Sequence, residues 1–305
     1  MTARWIRGDR RPIRARRWSA PAVATVVLAF ALLSGCRPTS DIADSLRGPV
    51  LIAPSDTGRT LAAAGAPASA FPLPARTVAD IVAPRWSNED DRDDVGEAER
   101  VLRILGAKEG MHIADIGAGD GYYVARLVPR VGSTGRVYGE DIVPRYLELL
   151  ASRARNSGWT NVEVVRGEAH DPRLPDSTLD AAILIHMYHE ISQPFGLMWN
   201  LASAMKPGGR VVILDLDRPT SGHGTPLQLL RCELRAVGYR ESRVDREVPG
   251  EYVAVFIAPT LAERPAPEAI MQSLAEKPCT PPGAVSYTHL RAHETKANLV
   301  CRLLL

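Results

Sequence analysis

Three glycines at alternating positions, Gly117, Gly119 and Gly121, join an apolar stretch ending at Ile116 to a segment opening Tyr122-Tyr123. Such a loop lets backbone press against a ligand, because glycine carries no Cβ and tolerates the dihedrals of a tight bend. A helix beginning there aims its free N–H groups and positive dipole end at whatever binds. Asp115 precedes the loop, and Asp141 closes the next apolar stretch, 20 positions past Gly121. An acid so placed can accept the hydroxyls of a ribose, so the pattern describes a site for an adenosine-containing cofactor. A second reactive group follows: His186, Tyr188, His189 and Glu190. Histidine can take a proton from a hydroxyl, thiol or amine near neutral pH, which makes His186 and His189 the candidate catalytic residues. Packing near the cofactor, or within the next helix, is the alternative for each.

Spacing narrows the cofactor. A dinucleotide loop reads G-x-G-x-x-G and would place its third glycine at 122, where this chain has Tyr122. The observed G-x-G-x-G after Asp115 resembles motif I of the class I S-adenosylmethionine (SAM) methyltransferases. Leu174–Asp180, Ala181–Glu190 and Met205–Asp215 resemble the later motifs of that family, in the same order. The resemblance implies a seven-stranded Rossmann-like α/β sandwich, mostly parallel with an antiparallel last strand, and SAM as cofactor. It implies that SAM lies on Gly117, Gly119 and Gly121, with Asp115 ordering the loop or meeting the amino-acid end. Asp141 would take the ribose hydroxyls, and Glu140 either shares that role or faces outward. Glu168-Ala169 stands where the family usually has Asp-Ala against the adenine edge; the longer Glu168 departs from that pattern and has a solvated loop acid as its alternative. Tyr122 and Tyr123 either wall the cofactor or pack in the helix.

The implied activity is methyl transfer to a small-molecule acceptor, with Asp217, Arg218 and His223 as candidates for acceptor specificity. A surface turn is the other reading of those three. A module that keeps the fold and binds a nucleoside without turnover is the second functional reading. An NAD oxidoreductase is the third, opposed by Tyr122 and the Lys206-Pro-Gly-Gly209 turn.

Hydrophobic periodicity supplies the elements that must hold these residues. Helices are expected over Asp94–Leu105, Gly121–Val131 with a kink or end near Pro129, Arg145–Asn156, Pro194–Met205 and Leu227–Val237. Strands are expected over Met111–Ile116, Gly135–Asp141, Val162–Arg166, Ala181–His186 and Arg210–Asp215. Tyr239–Val244 and Tyr252–Ile257 read as a closing hairpin. Strands alternating with helices give a parallel sheet covered on both faces.

The two ends read differently. Seven arginines in Met1–Arg17, the apolar run Ala20–Leu33 and Ser34-Gly35-Cys36 have the order of a secretory signal, and Leu33–Cys36 resembles a bacterial lipobox. Residues 1–35 are therefore expected to be a lipoprotein signal peptide. Cys36 carries the lipid, which is the chain's contact with a membrane, on the periplasmic or extracytoplasmic side. A start codon set too far upstream would instead leave the protein cytoplasmic. Residues 36–76 read as a flexible tether rich in Ala, Pro, Gly and Ser, residues 77–258 as the folded domain, and residues 259–284 as an irregular tail. Val285–Leu305 back-translates into a transposase sequencing adapter followed by a flow-cell primer, so it is expected to be foreign to the fold.

The chain's charge of +2 resolves into +6 in residues 1–17, +2 in residues 285–305 and −6 between them. An acidic body lacks the footprint of a nucleic-acid binder. Cysteine spacing supports neither a metal site nor a disulfide framework, although a Cys232–Cys279 bridge could form after export.

Overall fold

A computed structural model describes residues 62–82 and 89–283. The expected signal peptide, Cys36 and the adapter-like Val285–Leu305 lie outside the described residues. Seven strands form one sheet: β1 (His112–Ile116), β2 (Arg136–Asp141), β3 (Val162–Arg166), β4 (Leu179–Ile185), β5 (Met205–Leu216), β6 (Arg240–Asp245) and β7 (Glu251–Ile257). Their order is β3-β2-β1-β4-β5-β7-β6. The first five run parallel, and β7 inserts antiparallel between β5 and β6. This is the Rossmann-like methyltransferase arrangement, with the antiparallel closing strand that was expected.

Side chains alternate across a strand with a period of two, so each inner strand serves two cores. Ile113, Ala181, Ile183, Val212 and Leu214 face α2 (Glu97–Leu105), α3 (Tyr122–Val131) and α4 (Pro144–Asn156). Ala114, Ala182, Leu184, Val211 and Ile213 face α5 (Pro194–Ala204), α6 (Leu227–Ala236) and α7 (Pro267–Glu276). Burial on both faces explains why Ala181–Ile185 of β4 reads as an unbroken apolar run rather than an alternating one.

Three local expectations change. The single helix expected from Asp94 is two: α1 (Glu89–Asp94) and α2, parted by Gly96 at φ +69°. α3 ends at Val131 as expected, two residues past Pro129, which lies in the last turn, where few bonds remain to lose; Gly132 N–H closes the helix on Val128 O. The tail contains α7, whose Ile270 and Leu274, four residues apart, share one buried face.

The described end of the tether is packed as well. Gly65 N–H donates to Asp171 and Ala66 N–H to Asn200, both at 2.9 Å. Phe71 is buried beside Trp199, and Arg76 pairs with Glu233 at 2.9 Å. Composition could not register this, since a few anchoring contacts are enough to order an Ala- and Pro-rich segment. Cys232 on α6 and Cys279 beyond α7 form a disulfide, with Cα atoms 5.6 Å apart. Among the described residues no helix is long and apolar enough to cross a membrane.

Candidate functional site

The carboxyl ends of β1 and β4 adjoin where the chain's connections leave in opposite directions, the switch point at which open α/β sheets bind ligands. A cavity of about 620 Å³ lies there, lined by the residues after β1, β2, β4 and β5. That size accommodates a cofactor-sized ligand. Gly119 lines it at φ +57°, and a Cβ there would meet no atom within 4 Å. A side chain at 119 would therefore stand in open space beside the ligand. Gly121 is glycine for packing as well as for its turn: a Cβ would come within 2.5 Å of Leu150.

Three acids surround this loop. Asp141 Oδ2 accepts Gly119 N–H at 2.9 Å and Oδ1 accepts Val143 N–H at 2.8 Å, which ties the end of β2 to the glycine turn. Further lone pairs on both oxygens remain for a ribose. Burial pushes the Asp115 carboxyl up to about 8, with the Arg92 charge opposing and Asp141 reinforcing. Burial and the charge of Asp141 hold Glu140 well above the usual carboxylate range, and its Oε1 is buried with no hydrogen-bond partner. Asp141 is raised too, chiefly by burial, against the backbone hydrogen bonds it accepts. No Lys or Arg forms an ion pair with any of the three among the described residues. A ligand carrying positive charge and hydroxyl donors matches them, and SAM, with its sulfonium, ammonium and ribose, has both.

Glu168 and Ala169 also line the cavity. The Glu168 carboxylate, however, is engaged by Arg173 at 2.5 Å and lies half exposed, so its place on an adenine amine would require exchanging that partner. Tyr122 and Tyr123 line the cavity and are buried in α3. Arg92 and Arg126 lie 3.9 and 3.6 Å from the Tyr122 ring centre, and the hydroxyls donate to Asp93 and Glu97. Arg218 and His223 reach the cavity; Asp217 does not. It accepts Leu227 N–H at the start of α6 and pairs with Arg246.

His186 and His189 both reach the cavity, each held by a carboxylate. His186, just past β4 at φ +53°, places Nε2 2.9 Å from Glu97 Oε2. Burial opposes ionisation of Glu97, yet His186 and the Arg92 guanidinium bring its carboxyl down to about 2. His189 directs Nδ1 at Asp215, 3.1 Å from both oxygens. Asp215 is fully buried and also accepts Thr225 Oγ1–H at 2.7 Å and Leu216 N–H at 2.8 Å.

Sequence reasoning passed over Glu97, Arg92 and Arg76. Arg76 donates to the carbonyls of Tyr188, His189 and Ile191, holding the turn that carries His189 and Glu190. The one available signal was a lone arginine in a stretch otherwise poor in charge.

Residues 113–209 match a family described as "Methyltransferase domain". The chain is 29% identical over 151 residues to a 2-phytyl-1,4-naphtoquinone methyltransferase of Trichormus variabilis, covering 48% of this chain and 66% of that one. It is also 29% identical over 122 residues to a demethylmenaquinone methyltransferase of Staphylococcus aureus, covering 40% and 50%. The chain thus spans about half to just under two thirds of the length of these curated relatives. Among solved structures, a SAM-dependent methyltransferase from Aquifex aeolicus superposes with a TM-score of 0.51 at 27% identity, over 53% of this chain and 90% of that one.

Proposed function

We propose that this chain, whose residues 113–209 match a family described as a methyltransferase domain, is a SAM-dependent methyltransferase acting on a small apolar acceptor of the quinol type. Bound SAM supplies a methyl group already activated by its sulfonium, so the protein's work is to align the acceptor and exclude water. Asp115, Glu140 and Asp141 provide the charge complement to the cofactor, and Gly119 offers bare backbone beneath it.

The acceptor reading rests on the cavity mouth. Ile81, Val82, Ile142 and Leu149 line it, and they are four of the nine large apolar side chains exposed among the described residues. Clustered exposure of this kind marks a binding surface for hydrocarbon. The similarity to a 2-phytyl-1,4-naphtoquinone methyltransferase and to a demethylmenaquinone methyltransferase agrees with such an acceptor. We assign the proton acceptor to His186. Its side chain is 28% exposed against 4% for His189, and Glu97 holds its Nε2, leaving Nδ1 to take the acceptor's proton. Asp215 and Thr225 instead fix His189 in the wall.

Calorimetry with SAM and its demethylated product tests the cofactor, and product formation from a panel of quinols, phenols, thiols and amines tests the reaction. We expect micromolar SAM binding that Gly119→Arg abolishes, with turnover confined to apolar hydroxylated rings. Binding without turnover on any of them would leave a nucleoside-binding module on the same fold. We also propose that the domain works outside the cytoplasm on a lipid at Cys36. The Cys232–Cys279 disulfide supports this, because such bonds persist in oxidising compartments. Mass spectrometry of the N-terminal peptide decides it.

A further inference from the structure

We propose that His189, Glu190 and His223 form a divalent-cation site, best suited to zinc, in the wall of the cavity. Each contributes one donor atom, and the three donors lie within 4.8 Å of one another. They come from two separate segments brought together by the sheet edge: the turn Tyr188–Glu190 after β4, and the residue following the turn Thr220–Gly222 after β5. Nothing in cysteine spacing could reveal such a set, because no cysteine takes part.

The surroundings favour a metal. Asp215 accepts the Nδ1 proton of His189, which leaves Nε2 as the nitrogen bearing the lone pair; a buried carboxylate behind a histidine is how metal-binding imidazoles are oriented. His189 Nε2 stands 3.9 Å from Glu190 Oε1. That oxygen accepts one long hydrogen bond, from Val82 N–H at 3.3 Å, and no Lys or Arg pairs with Glu190 among the described residues. His223 Nδ1 is buried with no hydrogen-bond partner, and its ring lies edge-on to His189 with centroids 5.6 Å apart. His223 also sits at φ +55°, a conformation that costs free energy in a residue with a Cβ and is common where function requires it. Two imidazoles and one carboxylate, with at least one position left open, form the donor set typical of zinc sites that bind an exogenous oxygen.

A second cluster in the same cavity, Glu97, His186 and Glu251, meets the same distance criterion. Its charges are already answered. Glu97 accepts Arg92 Nε at 2.9 Å and Nη2 at 2.6 Å, and Glu251 pairs with Arg100. A dication there would face two guanidinium groups. At His189–Glu190–His223 it would face Glu190 and Asp215, and the two nearby guanidinium groups, Arg76 and Arg218, donate to the backbone carbonyls of His189 and His223 rather than to the donor side chains. The open position faces the cavity, so the ion would hold an oxygen-bearing ligand there. This holds whether or not the cavity catalyses methyl transfer.

The test is zinc titration of the untagged full chain after chelator stripping, in competition with a chromophoric chelator, together with cobalt absorption spectra. We expect one saturable site per chain. Glu190→Gln, nearly isosteric, and His223→Ala, in a surface turn, should each weaken it by about 100-fold and abolish the cobalt d–d bands. Asp215→Asn should weaken it by about 10- to 100-fold through the orientation of His189. Glu97→Gln should leave it within about 2-fold, which separates this site from the proposed base. Circular dichroism of each variant guards against misfolding. Absence of a saturable site, or a site indifferent to both Glu190→Gln and His223→Ala, would overturn the proposal.

Discussion

At the end of β1 the carboxyl of Asp115 stays protonated to about pH 8, because burial disfavours its charge more than Arg92 favours it. Its unfolded counterpart ionises near pH 4. A folded pKa raised in this way contributes stability that is complete below about pH 4 and is lost as pH rises through about 8. Over that window the ligand-free protein should lose about 1.4 kcal/mol per pH unit from this residue. Glu140 and Asp141 shift in the same direction and add to the slope. A cationic ligand favours the ionised acid, so SAM affinity should rise with pH up to about 8 and binding at neutral pH should release protons. Calorimetry in buffers of different ionisation enthalpy reads that release directly. Asp115→Asn should diminish it, and no net release from the unaltered chain would sink the charge-complement reading. At His186, substitution by Gln should lower kcat by about 10²- to 10⁴-fold with SAM affinity nearly unchanged. An equal loss in SAM affinity would instead make it a cofactor contact.

The turn Tyr188–Glu190 is held by an arginine more than a hundred positions away. Arg76 is 0% and Glu233 1% exposed in their side chains, and the guanidinium also serves three carbonyls of the turn. Removing one partner of such a pair leaves a buried charge uncompensated. Arg76→Met should therefore cost about 3–5 kcal/mol, and Arg76→Met with Glu233→Leu should recover much of it. Denaturant midpoints of the three proteins check this; a double variant as unstable as the single would place the cost in the lost carbonyl bonds instead. The same contrast explains what could be read in advance. Strands, helices and the glycine loop write themselves into local pattern, so Gly117–Gly121, Asp141 and the order of elements were legible, as were His186 and His189. Arg76, Glu97 and Asp215 act through contacts 26 to 157 positions apart in sequence, and no local period encodes such partners. Ile270 and Leu274 of α7 were too few to stand out beside the prolines that flank them.

Across the whole molecule, the C-terminal segment is secured by one covalent link. Cys232 and Cys279 are 47 positions apart, and their bond closes a loop holding β6, β7 and α7. Restricting the unfolded chain by a loop of that length is worth about 4 kcal/mol in the chain-entropy account. Reduction, or Cys232→Ala with Cys279→Ala, should thus lower the melting temperature by roughly 10 °C. Neither cysteine lines the cavity, so SAM affinity measured well below the transition should stay within about 2-fold. A reduced protein that melts unchanged would mean that Ile270, Leu274 and the Arg264 contacts with Trp199 and Ser203 already fix the segment. The experiment also bears on where the protein works. Material matured in an oxidising compartment should offer no free thiol at either position, whereas material kept in a reducing one should offer both and carry the lower melting temperature.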